Sequence, residues 1–295
     1  MERYPDLIGE ELKSSGAILF RGFGSGDVSE FKKVIQSATP RTLEYTGGTS
    51  PRLKVEEGVF TSTEYPAQYP IALHNEMSYH KSWPDLIYFF CVVAPETGGE
   101  TPIADSRRIL EAIPKEIVSE FEARGVRYVR NLINSRVSFG SWQKVFCTED
   151  RSAVEEYCVS RDMEFEWRRN GTLRVSEKRP AVRVHPVSGE RVWFNQAHMW
   201  HPSNSPVRID TDLVSEDDLP MMATFGDGGR LDPSMLEEIR SVLRKHTRMF
   251  TWRVGDLLLL DNMLVAHGRA PFEGPRRILV AMGKNVADAG DARTE

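Results

Sequence analysis

The sequence predicts a mainly β fold with α decoration, a sandwich or jelly roll. Three observations carry the prediction. Short apolar or alternating runs recur along the chain, each bounded by Gly, Pro, Asn or Asp. Helical periodicity is confined to the edges of the fold and to one insertion. No linker divides the 295 residues, so a single domain is expected over 1–295, with its core between about 15 and 285.

Taken in order, Ser15–Gly24 reads as a buried strand closed by glycines. Val28–Ala38 places Phe31, Val34 and Ile35 on one helical face, with Asp27 or Ser29 as cap. Residues 42–68 are rich in Gly, Pro, Ser and Thr and read as loop with short strands, the kind of segment that covers a site. Ile71–Glu76 and Asp85–Pro95 read as strands, joined to the next by the Gly98-Gly99 turn. Ser106–Gly125 turns helical, punctuated by Pro114 and closed by Gly125, and Val126–Asn131 returns to strand. A short helix is expected over 149–158 and strands and turns over 164–196. Asp232-Pro233 opens a helix to about Lys245. Two hairpins follow, built from Leu257–Leu260, Met263–Arg269 and Arg276–Gly283.

Composition narrows the function classes. The chain is 27% charged with net charge −5, and its Arg and Lys are dispersed, which argues against a nucleic-acid partner. The longest purely aliphatic run, Leu257–Leu260, is too short to span a bilayer, and Met1–Asp6 lacks the apolar run of a signal peptide. Cys91, Cys147 and Cys158 have no C-x-x-C spacing, which speaks against a zinc ribbon or a disulfide framework and fits a reducing cytoplasm.

One motif carries chemistry. In a strand, residues i and i+2 point the same way, so His74 and Glu76 can grip one ion from one side of a sheet. With a second histidine, His267, they make the two-His, one-carboxylate set of a non-haem Fe(II) oxygenase, which leaves one face of the metal open. A chain with 7 histidines and 43 acids produces an H-x-[D/E] pair by chance alone, so the motif needs its context. Arg277, ten residues after His267 on a neighbouring antiparallel strand, would add a fork for a carboxylate, although without context Arg276-Arg277 reads as a pair of exposed charges on an edge strand.

Together, His74-x-Glu76, Gly98-Gly99-Glu100-Thr101, Asp261-Asn262 before His267, and Arg276-Arg277-Ile278 resemble the taurine dioxygenase family of Fe(II)/2-oxoglutarate oxygenases, from about Gly16 to Gly283. The resemblance implies a double-stranded β-helix, the clavaminate synthase-like jelly roll, with an inserted helical segment. It implies Fe(II) on His74, Glu76 and His267, with 2-oxoglutarate and O2 as co-substrates. The C5 carboxylate of 2-oxoglutarate then falls to Thr101 and Arg277. Leu73–Tyr79, Trp193–Gln196 and Phe225–Gly228 are similar to the branch typified by the syringomycin-biosynthesis hydroxylase. That branch implies hydroxylation of an amino-acid-like small molecule, free or tethered to a peptidyl carrier protein, in antibiotic biosynthesis. Desaturation, epoxidation or degradation of a small acid would use the same iron, and a non-catalytic jelly-roll binding module is the rival from another class. Taurine dioxygenase itself carries a sulfonate-holding arginine four residues after the 2-oxoglutarate arginine. Here Ala281 stands there, which argues against taurine. Glu76 is a carboxylate where family halogenases have a small residue, which favours hydroxylation.

Asn75, Ser78, Tyr79, Arg130, Asn195, Gln196 and His198 are candidates for substrate contact, and Arg130-Asn131 and Arg183 for anchoring a substrate carboxylate. His198-Met-Trp-His201 reads as a loop that lines the pocket or packs beneath it, rather than a second metal site. His185 and His246 read as surface or structural.

Overall fold

Leu86–Val93 is apolar on both faces, and such a strand must be covered on both sides. The computed structural model, which describes residues 5–284 except 25, 40, 44–51, 64, 139, 206–214 and 216–217, shows how. The strand sits inside a seven-stranded sheet in the order Ala17–Phe20, Leu257–Asp261, Leu86–Val93, Arg277–Lys284, Val59–Thr61, Lys54–Glu56, with Arg41–Thr42 also against Arg277–Lys284. Every pairing is antiparallel. The two-residue period sorts the side chains. Tyr88, Phe90, Leu257, Leu259, Leu279 and Ala281 meet Phe31 and Ile35 of the helix Val28–Ala38, with Phe31 stacked on Phe90 at 5.0 Å. Ile87, Phe89, Cys91, Leu258, Leu260, Ile278 and Val280 point the other way, onto Val265, Phe194 and Trp252. The helix begins where expected, with the Asp27 carboxylate accepting from Ser29 N–H.

Val265 belongs to a second, three-stranded sheet of Ile71–His74, Val265–Arg269 and Ile103–Asp105. This corrects the expected hairpins. The successive strands Leu257–Asp261, Val265–Arg269 and Arg277–Lys284 do not pair with one another; they alternate between the two sheets. Asp261 makes the first crossing, its Oδ1 accepting from Met263 and Leu264 N–H. Buried His185 accepts from Ser188 N–H at Nδ1 and donates from Nε2 to the other carboxylate oxygen at 3.0 Å, so it is structural.

The insertion follows Ile103–Asp105. Ser106–Ala112 and Lys115–Arg124 are separate helices because Pro114 cannot continue the first. Gly125, at φ 67°, ends the second. Val126–Leu132, Leu173–Arg179, Glu164–Trp167 and Met221–Phe225 form a four-stranded sheet. The short helix Trp142–Phe146, capped by Ser141, was not expected; at five residues it is too brief for periodicity to reveal. Beneath this sheet Glu177 lies 2.7 Å from His80, 2.7 Å from Arg179 and 3.8 Å from Arg130. Burial alone would raise the Glu177 carboxyl, but His80 and the two arginines hold it below its ordinary value. All three cysteines are free, and no helix among the described residues is long and apolar enough to cross a membrane.

Candidate metal centre

His74 and His267 stand directly opposite each other in the antiparallel register of the small sheet, with ring centroids 4.6 Å apart. The His74 Nδ1–H donates to Ala72 O at 2.8 Å, which leaves Nε2 unprotonated and facing Glu76 Oε2 at 4.0 Å. His267 Nδ1 is buried with no hydrogen-bond partner. Burial pushes both imidazoles down, His267 well below its ordinary value, so both are the neutral form that ligates metals. One atom from each of His74, Glu76 and His267 lies within 4.8 Å of the others, close enough to share an ion. Two neutral imidazoles and a carboxylate fit Fe(II) with open positions. The strands come this close because Gly268 follows His267; a Cβ there would stand 2.5 Å from Ile71 O.

Glu76 does not reach the centre as a strand residue. The strand ends at His74, and Glu76 lies in a turn with Met77 at φ 57°. Side chains take the backbone out of the ladder. Buried Asn262 accepts from Glu76 N–H at 2.7 Å and donates to Glu76 O at 2.9 Å and Pro84 O at 2.8 Å. Gln196 Nε2 donates to Asn75 O at 2.7 Å. The i, i+2 expectation found the right pair of residues, but a clamped turn places the carboxylate.

The cavity beside the two histidines is lined by Arg52, Ser62, Thr63, Ile71, Phe89, Thr101, Arg269 and Arg276, among others. Thr101 Oγ1 accepts from Trp252 Nε1–H at 3.2 Å, so its own hydrogen is free to point elsewhere. Arg276 donates from Nε to Gly99 O at 3.0 Å and from Nη1 to Ser62 Oγ at 3.3 Å, neither a charged partner. Burial and the neighbouring Arg269 push it down to about 10, and the attraction of Glu100 offsets only part of that. A Cβ on Gly99 would press on Arg276 at 3.1 Å, so the Gly-Gly turn is its seat. Arg277 is exposed and does not line the cavity, which corrects the sequence assignment. Neighbours on a strand point to opposite faces, and the register shift between Arg277 and Ile278 hides from sequence which one turns inward. Nor do His267 and Arg276 share a sheet: they face each other across the cavity. Arg269 spends its guanidinium on the carbonyls of Tyr65, Pro66 and Tyr69, tying residues 65–69 over the rim. Of the segment 42–68 expected to cover a site, Arg52, Ser62 and Thr63 line the cavity, while residues 44–51 and 64 lie outside the described residues.

Residues 5–282 match the family described as "Taurine catabolism dioxygenase TauD, TfdA family". The chain belongs to the TauD/TfdA family. It is 40% identical over 278 residues to the dapdiamide synthesis protein DdaC of Enterobacter agglomerans, covering 93% of this chain and 84% of that protein. It is 34% identical over 283 residues to a clavaminate synthase-like protein of Arabidopsis thaliana, covering 92% and 83%. Among solved structures, a putative alpha-ketoglutarate-dependent taurine dioxygenase from Burkholderia xenovorans superposes with a TM-score of 0.55 at 16% identity, over 96% of this chain and 83% of that one. PvcB of Pseudomonas aeruginosa gives 0.53 at 16% identity over 96% and 80%. This TauD/TfdA-family chain is a 2-oxoglutarate-dependent non-haem iron dioxygenase, using Fe(II), 2-oxoglutarate and O2.

The TauD/TfdA-family chain turns most of the expected substrate contacts to another use. None of Asn75, Ser78, Tyr79, Arg130, Asn195, Gln196 and His198 lines the cavity; all are buried behind the metal strand. His198, pushed down to about 4 by burial, donates from neutral Nε2 to Leu73 O at 2.9 Å. Asn75 donates to Asn262 O and Ser106 Oγ. Asn195 braces Ala181 and Ala197, and Tyr79 packs on Trp200 and Tyr128. Arg130 joins the Glu177 cluster, and Arg183 lies over Trp83. A polar residue beside a ligand has the same signature in sequence whether it faces substrate or core. Arg52 and Trp252 went unassigned because nothing local marks them.

Proposed function

We propose that this dioxygenase, a single double-stranded β-helix domain, hydroxylates an unactivated carbon of an amino acid or amino-acid-derived small molecule in secondary-metabolite biosynthesis in the cytoplasm. The substrate is free or held on a peptidyl carrier protein. His74, Glu76 and His267 hold Fe(II), and Thr101 and Arg276 take the distal carboxylate of 2-oxoglutarate. The observation that carries this reading is one cavity lined both by two neutral histidines and by a buried arginine whose hydrogen-bond partners among the described residues are neutral. The bound iron, with 2-oxoglutarate and O2, supplies the oxidising power that cleaves the C–H bond.

The residues divide the remaining work. Trp252 turns the Thr101 hydroxyl into a donor for the carboxylate, and Arg276 adds a planar fork and a charge. Phe89 and Ile71 wall the cavity with hydrocarbon, which strengthens these contacts by excluding water. Counted from Arg276, the sulfonate-binding position of taurine dioxygenase falls on buried Val280 rather than Ala281; either residue argues against taurine. The name of DdaC, a synthesis protein for dapdiamide, supports a biosynthetic role.

Fe(II) and 2-oxoglutarate added anaerobically to metal-free protein should give a weak visible charge-transfer band. Dioxygen and a panel of free and carrier-loaded amino acids should then raise succinate production for the true substrate class. No band would overturn the metal centre; a band with no stimulation by any amino acid would overturn the substrate class alone.

A further inference from the structure

The segment before the strand Lys54–Glu56 sends a cation into the metal centre. The Arg52 side chain is 3% exposed, and its Nη2–H donates to Glu76 Oε2 at 2.6 Å. Oε2 is also the oxygen that faces His74 Nε2. Arg52 therefore grips the carboxylate at the atom pointed toward the rest of the triad. Among the described residues it is the one hydrogen-bond donor to that carboxylate.

The need for such a grip follows from the residue type. Asn262 fixes Glu76 only through its backbone N–H and C=O, leaving the side-chain torsions free. A glutamate loses up to about 2 kcal/mol of rotamer freedom when it is held still, and a ligand that must first be ordered binds metal more weakly. We propose that Arg52 is a positioning residue for the metal: it holds the Glu76 carboxylate in the orientation that faces His74 and His267. The inference rests on the metal centre proposed above. It adds a role for a residue 24 positions from Glu76 that only the fold brings to the site.

The sign of one measurement separates positioning from mere charge compensation. A guanidinium repels a divalent cation, so if Arg52 acted only as a counter-ion, its removal would tighten metal binding. If it positions the ligand, removal loosens binding by about 10–100-fold, as for other partners that orient a metal ligand. Mn(II) titrated into the full-length protein and followed by electron paramagnetic resonance reads this without turnover. Arg52→Met should weaken Mn(II) binding by about that factor, and Arg52→Lys, which keeps the charge and one donor direction, should recover part of it. Arg52→Met binding Mn(II) as tightly as the wild type, or more tightly, would overturn the proposal. Should Arg52→Met fail to fold by circular dichroism, Arg52→Gln decides in its place by the same criterion. Glu76→Gln is the control: if it and the wild type bind alike, or the wild type binds no Mn(II), the metal centre itself falls. If Glu76→Gln loses the ion while Arg52→Met keeps it, only the role of Arg52 falls.

Discussion

The two sides of the turn Asn75–Met77 are built on opposite terms. Behind it, toward the core, the backbone groups of the metal strand and turn are held by fixed side-chain partners. Asn262 takes the Glu76 backbone, Gln196 takes Asn75 O, and His198 takes Leu73 O. Gln196 is itself held by the Tyr128 hydroxyl and by Trp200, so the chain of bonds runs from the inserted sheet to the metal strand. In front, toward the cavity, Arg276 donates only to neutral oxygens, those of Gly99 and Ser62. A satisfied network rigidifies, and unsatisfied buried groups in a cavity are demands for a ligand. The rear is scaffold and the front is site, although both are polar and buried.

Substitutions on the two sides should therefore fail differently. The largest effect belongs to the front: Glu76→Gln or His267→Ala should abolish succinate formation and weaken Fe(II) binding by more than about 100-fold, beyond the about 10–100-fold of outer partners. Their thermal unfolding should change less than their metal binding. At the rear, Asn262→Ala orphans Glu76 N–H, Glu76 O and Pro84 O, and should cost about 3 kcal/mol or more of stability by calorimetry. A loss of metal binding in Asn262→Ala with unchanged stability would erase the distinction.

Arg276→Met should raise the Kd for 2-oxoglutarate by about 30-fold, the lower end expected for a buried charge contact. Arg277→Met, on the outer face, should change it by less than about twofold. The reverse order would return the carboxylate to Arg277. His198 sharpens the comparison through pH. Its folded value of about 4 lies below its ordinary 6.5, so between those values the unfolded chain binds more protons. Stability is full above pH 6.5 and falls as the pH drops toward 4, by at most about 1.4 kcal/mol per pH unit for this group. His198→Gln should flatten the acid side of the stability curve by that slope, measured by urea unfolding of metal-free protein. The smallest effect is expected of Trp252→Phe. It releases the Thr101 hydroxyl from one neutral hydrogen bond, and about 1 kcal/mol corresponds to about fivefold in 2-oxoglutarate affinity.

Local signals reached a good part of this molecule. The helices Val28–Ala38 and Pro233–His246 begin at the expected caps Asp27 and Asp232, because capping is a contact two residues long. The strands Leu86–Val93 and Leu257–Asp261 announce themselves by apolar runs. His74, Glu76 and His267 were legible through ordered motifs, and the structure brings them together. Arg276 was missed by one residue, since a shift of register turns the wrong arginine inward. The seven candidates for substrate contact lie outside the lining of this cavity, because proximity to a ligand in sequence says nothing about which side of it a side chain takes.

Residue type within short windows and the order of motifs along the chain were enough to name the candidate ligands, the starts of the helices Val28–Ala38 and Pro233–His246, the apolar strand runs and the family. Only the tertiary structure decided that neighbouring strands part into two sheets, that Arg276 and not Arg277 faces the cavity, and that Arg52 reaches Glu76 from 24 residues away. Those outcomes depend on packing and register between distant segments, where a half-turn of a backbone changes which side chain meets the site.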